Sequence, residues 1–250
     1  MWKIPTMLKI FSSLLCLQAG FSGFSQPVRF AGKMTKVGTD RNLAADILVD
    51  TLPLKNLYAL GPVENLRGEI IVWNGRPFVA AVKEENGQPF VQKGVKDLKA
   101  IFLVYSHVEK WDTIVVHKQV GSMAELESLV GEQAFRQGLD TTEAFPFLIA
   151  GKIRSGTGHI MFKKEKPGPV SAEEVKQASH RFEFRAGRVQ MLGFYSRHHQ
   201  SVFTHANSFI HVHYRFANRY EAGHLDAVAL DESEPFRLLI PHKQTSDETH

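Results

Sequence analysis

The chain has a single cysteine in 250 residues, Cys16, and it falls within the first 25. One thiol cannot close an internal disulfide or supply the paired thiolates of a structural zinc or redox site. Charge of neither sign dominates, since 30 lysines and arginines face 26 aspartates and glutamates. No basic patch argues for nucleic acid as a partner. There is no internal repeat and no long low-complexity tract. The chain is long enough to bury a full core.

The first residues set Lys3 and Lys9 beside an apolar run through Ile10, Phe11, Leu14, Leu15 and Leu17, followed by small residues before Gln26. This pattern reads as a secretory signal peptide over residues 1–25 rather than a membrane span or a buried amino-terminal helix. Gly23 and Ser25 suit the minus-three and minus-one positions of a cleavage site. Leu15 before Cys16 argues against lipid attachment, so no stable membrane anchor is expected. The expected location is periplasmic or secreted, and cleavage would remove the one thiol and two lysines.

Strand signals dominate the rest. Glu69–Trp73 and Arg76–Val82 flank Asn74-Gly75, a pair that tolerates positive φ and so specifies a tight hairpin. Further strands are predicted at 100–108, 113–119, 145–153, 159–164, 182–185, 189–195, 209–214 and 224–230. Ser122-Met-Ala-Glu125 reads as a capping box that opens an amphipathic helix through Met123, Leu126, Val130 and Phe135, closed by Gly138. Shorter helices are predicted from Ser171 and over Asn42–Val49. The class is α+β. The predicted division is a subdomain over 26–138, a β-rich metal-binding subdomain over 139–242, and a frayed tail over 243–250.

The most informative segment is Phe209-Ile-His211-Val-His213-Tyr, followed after a polar connection by Ala222-Gly-His224. Side chains alternate faces along a strand, so His211 and His213 project together. A returning strand from Gly223 would bring His224 to the same ion. Three protein ligands on a divalent metal leave a position open, as in catalytic zinc sites. The competing reading is of scattered surface or hydrogen-bonded core histidines, which a His-x-His pair alone would favour.

Four stretches together resemble the acetolactate decarboxylase family. They are Leu66-Arg-Gly-Glu69 with its hairpin, Phe182-Glu-Phe184 with Met191-Leu-Gly-Phe194, the His211-Val-His213 strand, and Ala222-Gly-His224. The resemblance implies zinc on His211, His213 and His224, with Glu69 as the acidic residue beside it. It implies two α+β layers with mixed, mainly antiparallel sheets, the metal in the carboxy-terminal part, and a homodimer. The implied reaction converts 2-acetolactate, a small 2-hydroxy-3-keto acid, to acetoin and CO2. Loss of CO2 leaves an electron pair on the former ketone unit, and a metal on its oxygens is a suitable sink. One proton must then be delivered to one face, and Glu69 is a candidate donor.

The chain departs from the family at two points. His159, within Ser155-Gly-Thr-Gly-His159, stands where the family carries an arginine, so His159 or Arg154 is expected to supply the charge that holds the substrate carboxylate. The family's second glutamate lies past the metal histidines, beyond His250 in this register, and Glu232, Glu234 and Glu248 are candidate stand-ins. These departures leave an alternative open: a family member that keeps the metal but acts as a small-molecule binding protein or as a lyase for another keto acid. His198, His199 and His205 cluster in the loop before the metal strand, as an outer layer of the site or as plain loop residues.

Overall fold

The computed structural model describes residues 27–164, 170–217, 219 and 221–243. The expected signal peptide, Glu248 and all of the tail except Lys243 lie outside them. The elements in chain order are β1 (Arg29–Ala31), α1 (Thr35–Gly38), β2 (Ile47–Leu48), β3 (Leu57–Pro62), β4 (Glu69–Trp73), β5 (Arg76–Val82), β6 (Pro89–Lys93), β7 (Lys99–Ala100), β8 (Leu103–His107), β9 (Trp111–Val116), α2 (Met123–Arg136), β10 (Phe145–Met161), α3 (Ala172–Gln177), β11 (Ser179–Tyr195), β12 (Ile210–Phe216), β13 (Ala222–Leu230) and β14 (Phe236–Pro241).

One six-stranded sheet runs β1-β8-β3-β4-β5-β6 and a second runs β11-β12-β13-β10-β14-β9, with β2 and β7 as a small separate pair. Mixed, mainly antiparallel sheets were expected, and every pairing between these strands is antiparallel. The chain passes from the first sheet to the second between β8 and β9, ahead of Gly138, because β9 pairs with β14 along Trp111–Val116.

The two sheets share a core. Leu60, Ile71 and Val104 of the first pack with Leu148, Leu192 and Phe194 of the second. The other face of the second sheet is covered by α2, whose Leu126, Leu129, Val130 and Ala134 are buried against Phe147, Ile149 and Val212. Phe135 was expected on that face and is instead 71% exposed. It lies one residue past Ala134, so a rotation of about 100° carries it off the buried stripe.

Ser122 caps α2 by accepting from Glu125 N–H, while the Glu125 carboxylate accepts from Gly121 N–H, one residue earlier than the reciprocal bond of a capping box. The helix expected over Asn42–Val49 does not form. Ile47 and Leu48 pair with Ala100 and Lys99, and Val49–Thr51 makes a 3-10 turn, so tertiary pairing overrides a weak local preference.

Candidate metal centre

The β12 and β13 ladder pairs His213 directly with His224. Across β11 the same face carries Leu192 opposite His213 and Phe194 opposite His211, both part of the core between the sheets. His211, His213 and His224 are buried there. Their ring centroids lie 5.0 Å (His211–His213), 4.9 Å (His211–His224) and 5.5 Å (His213–His224) apart.

Each ring is oriented through Nδ1. His211 Nδ1 lies 2.8 Å from Phe203 O, and His213 Nδ1 lies 2.9 Å from Ile70 O of β4. A carbonyl only accepts, so both Nδ1 atoms carry the proton and both Nε2 atoms keep a lone pair. His213 Nε2 is buried without a hydrogen-bond partner. An unpartnered buried nitrogen is costly unless something fills its lone pair, and a metal ion does so. His224 Nδ1 faces Asp226 Oδ1 at 3.3 Å, a contact short of a well-directed hydrogen bond. A carboxylate behind an imidazole is the usual partner of a metal-bound histidine. These residues fit a borderline-soft divalent ion.

Glu69 opens β4 and is 3% exposed, with Oε2 3.7 Å from His213 Nε2 and Oε1 accepting from Met161 N–H. Burial, with Asp226 adding a like charge, pushes its carboxyl well above the usual range against the Met161 hydrogen bond. Burial and repulsion among the rings drive His211 and His213 well below the ordinary imidazole value, and burial and the neighbouring His159 lower His224 to about 3. Three neutral imidazoles in a dry site are ready ligands, since a metal needs the unprotonated ring.

His159 and Asp226 adjoin this group. His159 pairs across the ladder with His224, their rings 4.5 Å apart, and His159 Nδ1 is 2.8 Å from Asp226 Oδ1. Asp226 is the extra residue of a bulge, because Thr157 pairs with Ala227 and Gly158 with Leu225. Burial alone would raise Asp226, but the hydrogen bond with His159 and the close contact of His224 hold it below the usual carboxylate range. Arg181 donates to its other oxygen at 3.0 Å. Ligand atoms of His159, His224 and Asp226 come within 4.8 Å of one another.

The remaining candidates are engaged elsewhere. Arg154 lies 3.8 Å from Glu232, both more than half exposed. Glu234 lies 3.0 Å from Arg188 and 3.9 Å from Lys152. His199 meets Ser196 Oγ at 2.7 Å and stacks on Phe203. His205 differs: its Nε2 is 2.9 Å from His224 Nε2. The sequence reading did not single out Asp226, although alternation from His224 would have placed it two residues on, toward the same face.

Two antiparallel sheets packed over a buried histidine and carboxylate centre define an α+β protein with a candidate metal site. A sequence model described as alpha-acetolactate decarboxylase matches residues 36–237, and the chain belongs to that family. Among solved structures it is similar to alpha-acetolactate decarboxylase from Bacillus subtilis strain 168, at 16% identity and a TM-score of 0.67, covering 87% of this chain and 86% of that one. It is similar to acetolactate decarboxylase from Bacillus subtilis subspecies spizizenii at 18% identity and a TM-score of 0.68, covering 87% of each. A Staphylococcus aureus protein of unknown function, described as similar to alpha-acetolactate decarboxylase, aligns at 15% identity and a TM-score of 0.63, covering 87% of this chain and 86% of that one. At these identities the structures speak to the fold. No curated protein sequence matches the chain.

Proposed function

We propose that the chain is an exported, zinc-dependent enzyme of the acetolactate decarboxylase type that converts 2-acetolactate to acetoin and CO2. The observation that carries this reading is the pair of backbone anchors on His211 and His213, which leave both Nε2 atoms as lone pairs, that of His213 3.7 Å from Glu69 Oε2. With His224 they would hold the ion, which when bound supplies a Lewis acid for the electron pair that the departing CO2 leaves behind. Burial pushes the Glu69 carboxyl up, which favours its protonated form, and Oε2 lies 3.7 Å from His213 Nε2. Glu69 is assigned the delivery of a proton to the substrate carbon. Asp226 orients His224 through Nδ1. His159, against the His224 ring, is assigned to the substrate carboxylate, and the engagement of Arg154 with Glu232 favours His159 over it.

Acetolactate turnover on zinc-loaded protein tests the reading. Wild type should form acetoin, Glu69→Gln should lower kcat by about 10²- to 10⁴-fold, and His159→Arg should raise turnover. Acetoin from neither wild type nor folded, zinc-loaded His159→Arg would overturn it. Export rests on residues 1–25, and intact mass of protein recovered from periplasm or medium should place the first residue near Gln26. The homodimer implied by the family is tested by molar mass in solution.

A further inference from the structure

We propose that His205 is a fourth imidazole ligand, so that His205, His211, His213 and His224 surround one metal position. The inference rests on the metal reading of the other three. Around a tetrahedral zinc with Zn–N of about 2.0–2.1 Å, imidazoles bound through one nitrogen put their ring centroids roughly 5 Å apart. The three core histidines meet that spacing, and His205 joins them at 5.0 Å from the His224 ring and 5.9 Å from the His211 ring. His159 makes a ring contact with His224 alone of this group, and its Nδ1 is held by Asp226.

Between His205 and His224 the nitrogens agree with the rings. With Asp226 behind His224 Nδ1, the lone pair of His224 sits on Nε2, and His205 Nε2 points at it from 2.9 Å. Without metal the two share one proton, His205 donating. With metal, that proton moves to His205 Nδ1 and both Nε2 atoms bind, which widens their separation to about 3.3 Å for a tetrahedral ion. The change is a few tenths of an ångström.

The loop is fixed well enough to present a ligand. Glu127 of α2 accepts from Ser208 Oγ and from Phe209 N–H, each at 2.7 Å, and Ser208 N–H reaches His205 O. β12 and β13 pair only from His213 to Arg215, and beyond His213 a cavity of about 360 Å³ lies where they part, lined by His205, Ile210, Val212, His224 and Asp226. His205 therefore lines this cavity beside His224 and borders the cluster of rings. As a fourth protein ligand on a loop, it would close the ion to the cavity at rest and yield its position when a substrate oxygen arrives.

Cobalt-substituted protein provides the count. In water, each imidazole bound through Nε2 with a solvent-shielded ring should give one strongly shifted, exchangeable Nδ1–H resonance, so wild type should show four and His205→Ala three. Zinc competition with a chelator should show at least about 100-fold weaker binding for His205→Ala. His205→Gln, which keeps a polar side chain of similar reach, should behave in the same way. Three resonances in wild type, unchanged by either substitution and with unchanged affinity, overturn the proposal. Four resonances without acetoin would leave it standing and sink the decarboxylase reading. Three with acetoin formation would do the reverse.

Discussion

The two sides of the histidine centre are held by different chemistry. His211 and His213 lean on main-chain carbonyls, Phe203 O and Ile70 O, which carry no net charge and which no side-chain substitution removes. His224 leans on Asp226, a carboxylate that it shares with His159 and Arg181. The first arrangement sets tautomer and direction once and for all. The second also sets how much electron density reaches the ring, because an anion behind an imidazole raises its basicity as a ligand. The carbonyl side is thus the fixed part of the site, and the carboxylate side is where affinity for the proposed metal would be tunable.

Substitutions on each side can break this contrast. The largest effect is expected at His213, where wild type should carry about one zinc per chain and His213→Ala essentially none by elemental analysis. Stoichiometric zinc in a triple substitution at His211, His213 and His224 would refute the whole assignment. Next is Asp226→Asn, which keeps an acceptor behind His224 but removes its charge. Chelator competition should show zinc binding about 10- to 100-fold weaker. An unchanged affinity would mean that the carboxylate only positions His159.

A third expectation concerns acid stability without metal. Above about pH 6.5 these imidazoles are neutral in folded and unfolded chains alike, so folding moves no proton. Below it the unfolded chain binds protons that the buried His211, His213 and His224 refuse, down to about pH 3 for His224. Stability should therefore fall as pH drops from 7 to 5, by at most about 1.4 kcal/mol per pH unit for each excluded proton. Thermal melts of metal-free protein over that range check the sign, and His224→Gln should flatten the slope. The smallest effect is expected at the exposed arginines. Arg181→Ala should change zinc affinity about twofold or less, in keeping with an exposed partner, and Arg154→Ala should leave zinc binding and turnover unchanged.

The parts of this architecture that follow local rules are visible in the sequence. The β4–β5 hairpin has the predicted bounds because Asn74 and Gly75 take φ of 48° and 75°, the conformations that a type I′ turn requires. The two long strands are harder to see. Gly156 and Gly158 suggest a turn between two short strands, yet both lie inside the 17-residue β10, paired with Phe184 and Phe182 of β11. They are there for space, since a Cβ at Gly156 would fall 2.4 Å from the Phe184 ring and one at Gly158 would fall 2.5 Å from the Tyr214 ring. A residue chosen for what lies above it, rather than for its own φ, leaves no local sign. His211, His213 and His224 were legible by alternation and spacing. The closeness of His205 to His224 depends on how a loop folds back over the sheet, and nothing periodic encodes that.

The bond from His213 Nδ1 to Ile70 O joins residues 143 apart in sequence and on different sheets. It also places the ring beside Glu69, the residue before its acceptor. A chain whose only thiol lies at its extreme start has no covalent tie between its layers, and here a polar contact spans them at the point of greatest chemical consequence. The seam between the sheets therefore behaves as an alignment joint. A substitution at Leu60 or Leu192 that let one sheet slide against the other would turn the His213 ring without touching any residue of the site.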